Sequence, residues 1–101
     1  MKRPTPMRTR LSAKTIGENL STWRKMRSLT TQQMAEKANV TRATISRLEN
    51  GDPSVSFSTV LNVCNALDIT DMLVAATDPY ETDFGRLRAD QELPKRIRRQ
   101  P

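Results

Sequence analysis

Arg42 and Arg47 stand five residues apart in the stretch Thr41-Arg-Ala-Thr-Ile-Ser-Arg-Leu-Glu49. At about 3.6 residues per helical turn, Ile45 and Leu48 fall on one face, while Arg42, Ala43, Ser46 and Arg47 point elsewhere. A guanidinium presented this way is a planar fork of donors. It matches the paired acceptors O6 and N7 of guanine in a DNA major groove, a contact worth roughly 1–3 kcal/mol of discrimination. Ala43 and the methyl of Thr44 suit a thymine methyl. Thr31, Gln32, Thr41 and Ser46 offer short polar groups and helix-terminal amides that can hold phosphates and set register. The sequence therefore assigns base contacts to Arg42, Ala43, Thr44 and Arg47, and phosphate contacts to Thr31, Gln32, Thr41 and Ser46. A single outward arginine on a short helix would mean little, because solvated helix faces carry arginine routinely. The combination with its surroundings carries the argument.

Those residues need two short helices to hold them. The first is predicted over Thr31 to Ala38, with Thr30 as its cap and Met34, Ala35 and Ala38 facing inward. Ala35 is small enough to let two helices cross closely. Asn39 tolerates the left-handed conformation the turn requires, and Val40 plugs the gap between the helices. The second helix has Thr41 as its cap and runs from Arg42 to Glu49. Asn50-Gly51 stops it, and Asp52-Pro53 prevents its continuation. From Thr31 to Gly51 this is the pattern of a helix-turn-helix, whose second helix reads the major groove.

Upstream, a helix is expected from near Ser12 or Thr15, where Thr15 and Glu18 fit a capping box. Ile16, Leu20, Trp23 and Arg27 recur at helical spacing with Met26 at the edge, and Trp23 reads as a core residue. Downstream, Ser56 to Leu67 is expected as a helix with Phe57, Val60, Leu61, Cys64 and Leu67 on one face; Cys64 reads as a small core hydrophobe. Residues 69–76 fit a short fifth helix with Ile69, Met72 and Leu73 apolar, or else a strand pairing with a second subunit. From Pro79 onward no period persists. Residues 79–101 hold scattered charges, Pro94 and Pro101, with Tyr80, Phe84, Leu87, Leu93 and Ile97 as isolated anchors.

At 101 residues with 36% hydrophobic and 4% aromatic content, the chain is sized for one small helical domain with tails. The expected division is a flexible basic arm over 1–11, the helix-turn-helix domain over 12–78, and a basic, largely disordered tail over 79–101. No apolar run reaches the ~18 residues of a membrane span, and the basic N-terminus lacks the apolar region of a secretory signal. One cysteine leaves no internal disulfide framework and fits a reducing cytoplasm. With no histidine, no glycine-rich phosphate loop and no metal-ligand cluster, no catalytic site, metal or cofactor is expected. The net charge of +6 is divided unevenly: +5 over residues 1–15, −3 over 16–85 and +4 over 86–101. A polyanionic partner would thus meet basic arms around an acidic body. Each arm could track phosphates, dock on a protein partner or do neither.

Residues 16–76 resemble the Xre, or phage-repressor-like, helix-turn-helix family through Ile16, Leu20, Arg24, Leu29, Ala35, Val40, Ile45, Leu48, Glu49, Asn50 and Gly51. The resemblance covers some 60% of the chain. It implies an all-α, five-helix lambda-repressor-like DNA-binding domain, no enzymatic activity, and an ion pair between Arg24 and Glu49. Thr31 departs from the glutamine usual at its position, which shortens the reach to phosphate; Asn39 departs from a usual glycine. The ending narrows the resemblance. Leu67-Asp-Ile-Thr-Asp-Met-Leu, Asp78-Pro79, Phe84-Gly-Arg-Leu-Arg and Leu93-Pro-Lys-Arg-Ile-Arg-Arg are similar to HipB-type antitoxins. That similarity implies a cytoplasmic, nucleoid-associated homodimer on palindromic double-stranded operator DNA. It also implies autorepression and a HipA-like kinase toxin as partner. A free-standing regulator without a toxin is the alternative.

Overall fold

The computed structural model describes residues 3–89 and 91. All regular structure among them is helical: α1 (Met7–Met26), α2 (Thr31–Ala38), α3 (Arg42–Glu49), α4 (Phe57–Leu67), α5 (Thr70–Ala76), a 3-10 turn (Pro79–Glu81) and α6 (Asp83–Ala89). Among them, residues up to Thr70 form one compact unit and those from Asp71 a second.

The ends of the helices follow from local chemistry. Thr30 caps α2 by accepting the Gln33 amide at 3.0 Å, and Gln33 returns its side-chain oxygen to the Thr30 amide at 2.8 Å, a reciprocal box. Thr41 and Ser56 cap α3 and α4 by accepting the amides of Thr44 and Thr59. Four helices close in one way, with a left-handed residue after the last turn: Ser28 after α1, Asn39 after α2, Gly51 after α3 and Asp68 after α4. In each, the next residue's amide reaches back five residues, Leu29 to Arg24, Val40 to Ala35, Asp52 to Arg47 and Ile69 to Cys64, at 2.9–3.0 Å. The residue making that return is apolar after α1, α2 and α4. After α3 it is Asp52.

The core of the first unit is Leu20, Met34, Ala35, Ala38, Ile45, Leu48, Val63, Cys64, Leu67 and Ile69. α2 lies against both α3 and α4, and α1 against α3. Gly17 makes the last contact possible. A Cβ built there would stand 2.8 Å from the Glu49 carbonyl oxygen and closer still to that of Leu48. The face of α1 turned inward is therefore centred on Gly17, Leu20 and Arg24.

Several expectations are corrected. α1 begins at Met7, not near Ser12 or Thr15, so half of the arm placed over 1–11 is helical. Pro6 precedes its first turn, and Met7, Arg8, Arg10 and Leu11 are favourable helix residues, so the Thr15–Glu18 signal falls inside a helix already running. Ile16 is half exposed at the edge of the inward face, because the close Gly17 approach turns the helix away from it. Trp23 is half-buried. In α4, Phe57 is 67% exposed while Thr59 and Val63 are buried. Phe57 occupies the first helical position, ahead of the turn that meets the core, and the Thr59 hydroxyl is bonded to Ser56 at 2.9 Å. Residues 70–76 are helix, not strand.

The second unit shows more structure than its sequence suggests. The Asp78 side chain accepts the Tyr80 amide at 2.9 Å and starts the 3-10 turn; the Thr82 hydroxyl accepts the Gly85 amide at 2.9 Å and starts α6. Gly85 is buried against the Pro79 carbonyl, where no Cβ fits. The fold thus has six α-helices among the described residues, against the five expected. Lys2 and the 95–99 run Lys-Arg-Ile-Arg-Arg lie outside the described residues, as do Leu93, Pro94 and Ile97.

Candidate nucleic-acid interface

α3 is placed with its back to the core and its front to solvent. Ile45 and Leu48 are 1% and 6% exposed, and they fix the rotation of the helix about its own axis. Arg42, Ala43, Ser46 and Arg47 consequently share the exposed arc opposite them. Thr44 stands apart from this arc. It is half-buried on the flank, with its hydroxyl paired to that of Thr41 at 2.9 Å. Ser46, assigned to phosphate in the sequence, lies between Arg42 and Ala43 on the exposed arc. Thr41 is exposed at the head of α3, engaged as its cap.

The remaining assigned residues sit at the start of α2. Thr31 is half-buried in its first turn, and Gln32 is exposed with its amide nitrogen donating to Glu36 at 3.2 Å. A phosphate contact from Gln32 therefore competes with Glu36.

Arg24 and Glu49 join α1 to α3. Arg24 Nε donates to Glu49 Oε2 at 2.7 Å and Nη2 to Oε1 at 3.1 Å, while Nη1 donates to the Leu29 carbonyl at 2.8 Å. Both side chains are largely buried, at 11% and 15% exposure. The Glu49 hydrogen bond outweighs burial and pushes the already high pKa of Arg24 further up. The pair locks the tail of α3 to the end of α1.

One arrangement was not read from the sequence. Arg47 Nε donates to Asp52 Oδ2 at 2.9 Å and Nη2 to Ser54 Oγ at 3.0 Å. Ser54 in turn donates its amide and its hydroxyl to Asp52 Oδ1 at 2.8 and 2.7 Å. With the Ser54 hydroxyl as the largest cause and Arg47 next, the Asp52 carboxyl is drawn down from an ordinary 3.8 to about 2. The only signal in the sequence was an acid and a serine just past a helix stop.

A small helix set by its core contacts, its front lined with two arginines and preceded by a second helix at a tight turn, defines a helix-turn-helix domain. The comparisons place the chain accordingly. Residues 20–72 match the family described as Helix-turn-helix, and the chain belongs to it. Over 55 residues it is 38% identical to a protein of Bacillus subtilis (strain 168) described as the uncharacterized HTH-type transcriptional regulator YqaE. The similarity covers 54% of this chain and 47% of that protein, so it spans about half the length of the relative. No solved structure gives a significant match. Among the described residues, no helix is long and apolar enough to cross a membrane.

Proposed function

We propose that this chain is a sequence-specific DNA-binding repressor, not a catalyst, that inserts α3 into the major groove. The observation that carries this reading is the shared arc of Arg42, Ala43, Ser46 and Arg47 directly opposite the buried Ile45 and Leu48. Arg42, Ala43 and Arg47 supply base contacts, with Thr44 beside them. Thr31, Gln32, Thr41 and Ser46 position the helix on the phosphates. The chain works as a homodimer on a palindromic operator whose half-sites lie about one helical turn apart, on the nucleoid in the cytoplasm, with no cofactor. The DNA-binding part is the domain expected over 12–78, extended back to Met7 where α1 begins, with basic residues in the segments on either side.

The finer reading is an antitoxin of a HipBA-type operon that represses its own promoter and restrains a HipA-like kinase. The resemblance of residues 67–99 to HipB-type endings supports it. The Bacillus relative is described only as a transcriptional regulator, which favours the free-standing alternative.

Footprinting on the promoter upstream of the gene tests the repressor reading. A protected palindrome is expected, and its absence rejects autorepression. Co-purification with the neighbouring gene's product separates the finer readings, since a captured kinase-like protein marks the antitoxin. Truncation after Pro79 should leave operator binding intact and abolish that capture.

A further inference from the structure

We infer that Asp52 and Ser54 are positioning residues that hold Arg47 as a guanine reader and keep it from acting as a phosphate clamp. The inference rests on the DNA-binding reading above and deepens it at one residue.

A guanidinium has two usable edges: a side edge formed by Nε and one terminal nitrogen, and an end edge formed by the two terminal nitrogens. In Arg47 the side edge is occupied, Nε by Asp52 Oδ2 at 2.9 Å and Nη2 by Ser54 Oγ at 3.0 Å. The other N–H groups, on Nη1 and Nη2, make up the end edge and present parallel donors of the kind O6 and N7 of guanine accept. The brace is closed on itself. Ser54 gives its amide and hydroxyl hydrogens to Asp52 Oδ1, so its oxygen accepts from Arg47 and the three side chains fix one another.

The place of Asp52 in the fold gives this brace its meaning. At the matching position after α1, α2 and α4 stand Leu29, Val40 and Ile69, which close those helices with apolar side chains. After α3 the same backbone closure carries a carboxylate, directed at an arginine half exposed on the outward arc. Charge then decides between two uses of Arg47. A phosphate clamp works through net positive charge, which an adjacent carboxylate offsets. A base reader works through direction, which the brace supplies before binding and so reduces the ordering cost on contact.

The test selects binding sites for the full chain from a pool of random-sequence DNA duplexes, for wild type, R47A, R47K, D52A and S54A. Circular dichroism establishes that each variant is folded, and S54A gives the answer if D52A is not. Wild type should enrich a palindrome containing a guanine that R47A and R47K no longer select. D52A and S54A should lose about tenfold of the preference for that guanine. D52A should also bind an unrelated duplex as tightly as wild type or more so. If D52A and S54A keep the full guanine preference that R47A loses, or if R47A changes no base preference, the inference is overturned while DNA recognition stands. If wild type enriches no sequence at all, the DNA-binding reading itself fails.

Discussion

Arg24 and Glu49 form a two-bonded ion pair that ties the last turn of α1 to the last residue of α3. Both groups are mostly withdrawn from water, so each depends on the other for compensation. Replacing Arg24 or Glu49 with alanine should destabilise the domain by about 3 kcal/mol. At the ~4–8 °C per kcal/mol expected for a chain of this size, thermal unfolding should fall by more than ~10 °C. The double variant should cost clearly less than the two losses added. Strict additivity would show that the pair is not coupled.

Gly17 gives a prediction whose sign is informative. Glycine to alanine inside an exposed helix ordinarily stabilises by up to ~1 kcal/mol. Here the new Cβ would press on the Leu48 and Glu49 carbonyls, and Gly17→Ala should destabilise by about 2 kcal/mol in urea unfolding. A gain in stability would mean that α1 and α3 do not approach as described.

Asp52 sets an acid limit on the α3–α4 connection. Its carboxyl titrates near 2 in the fold, below an ordinary value of 3.8, held down by Ser54 and Arg47. A carboxylate with a lowered folded pKa adds stability above its unfolded value and loses it as pH falls through the folded one. The contribution is thus complete above about pH 4 and gone below about pH 2. Asp52→Asn should remove that slope. A carboxyl-carbon NMR titration that placed the midpoint near 4 would contradict the brace.

Cys64 is 5% exposed in α4, and burial pushes its thiol pKa up. Native protein should therefore resist iodoacetamide at neutral pH and become fully alkylated in urea. Rapid labelling of the native state would place Cys64 outside the core.

The residues proposed to contact DNA should separate by type. Arg42→Ala should relax the choice of base at one position per half-site, whereas Gln32→Ala should weaken binding to all sequences alike. Binding assays at two salt concentrations on matched and mismatched duplexes distinguish these outcomes.

The legible parts of the structure were those governed by neighbours along the chain. The bounds of α2 and α3 follow from Thr30, Thr41, Asn39 and Gly51, each of which acts within four residues. Some of the features that escaped depend on contacts the sequence does not order, others on local signals too short to stand out. Thr15 and Glu18 suggested a late start for α1, but the helix is already running from Met7, directly after Pro6. Phe57 fits an apolar stripe by spacing, yet at the first position of α4 its side chain lies outside the core. The brace on Arg47 spans a chain reversal at Gly51, so its partners at five and seven residues' distance come together only once the turn has formed. The short helices after Pro79 arise from Asp78 and Thr82 caps, which are too brief to produce a hydrophobic period.

The anchoring of α3 has an evolutionary consequence. The residues that seat it, Gly17, Arg24, Ile45, Leu48, Glu49 and Gly51, are a different set from Arg42, Ala43 and Ser46, which meet solvent. Substitutions at those outward positions should change stability by no more than about 0.5 kcal/mol. The helix is held like a key blank, gripped at the bow and open to recutting along the blade. Under the proposed DNA reading, a lineage carrying this domain can exchange one target sequence for another without passing through an unfolded intermediate.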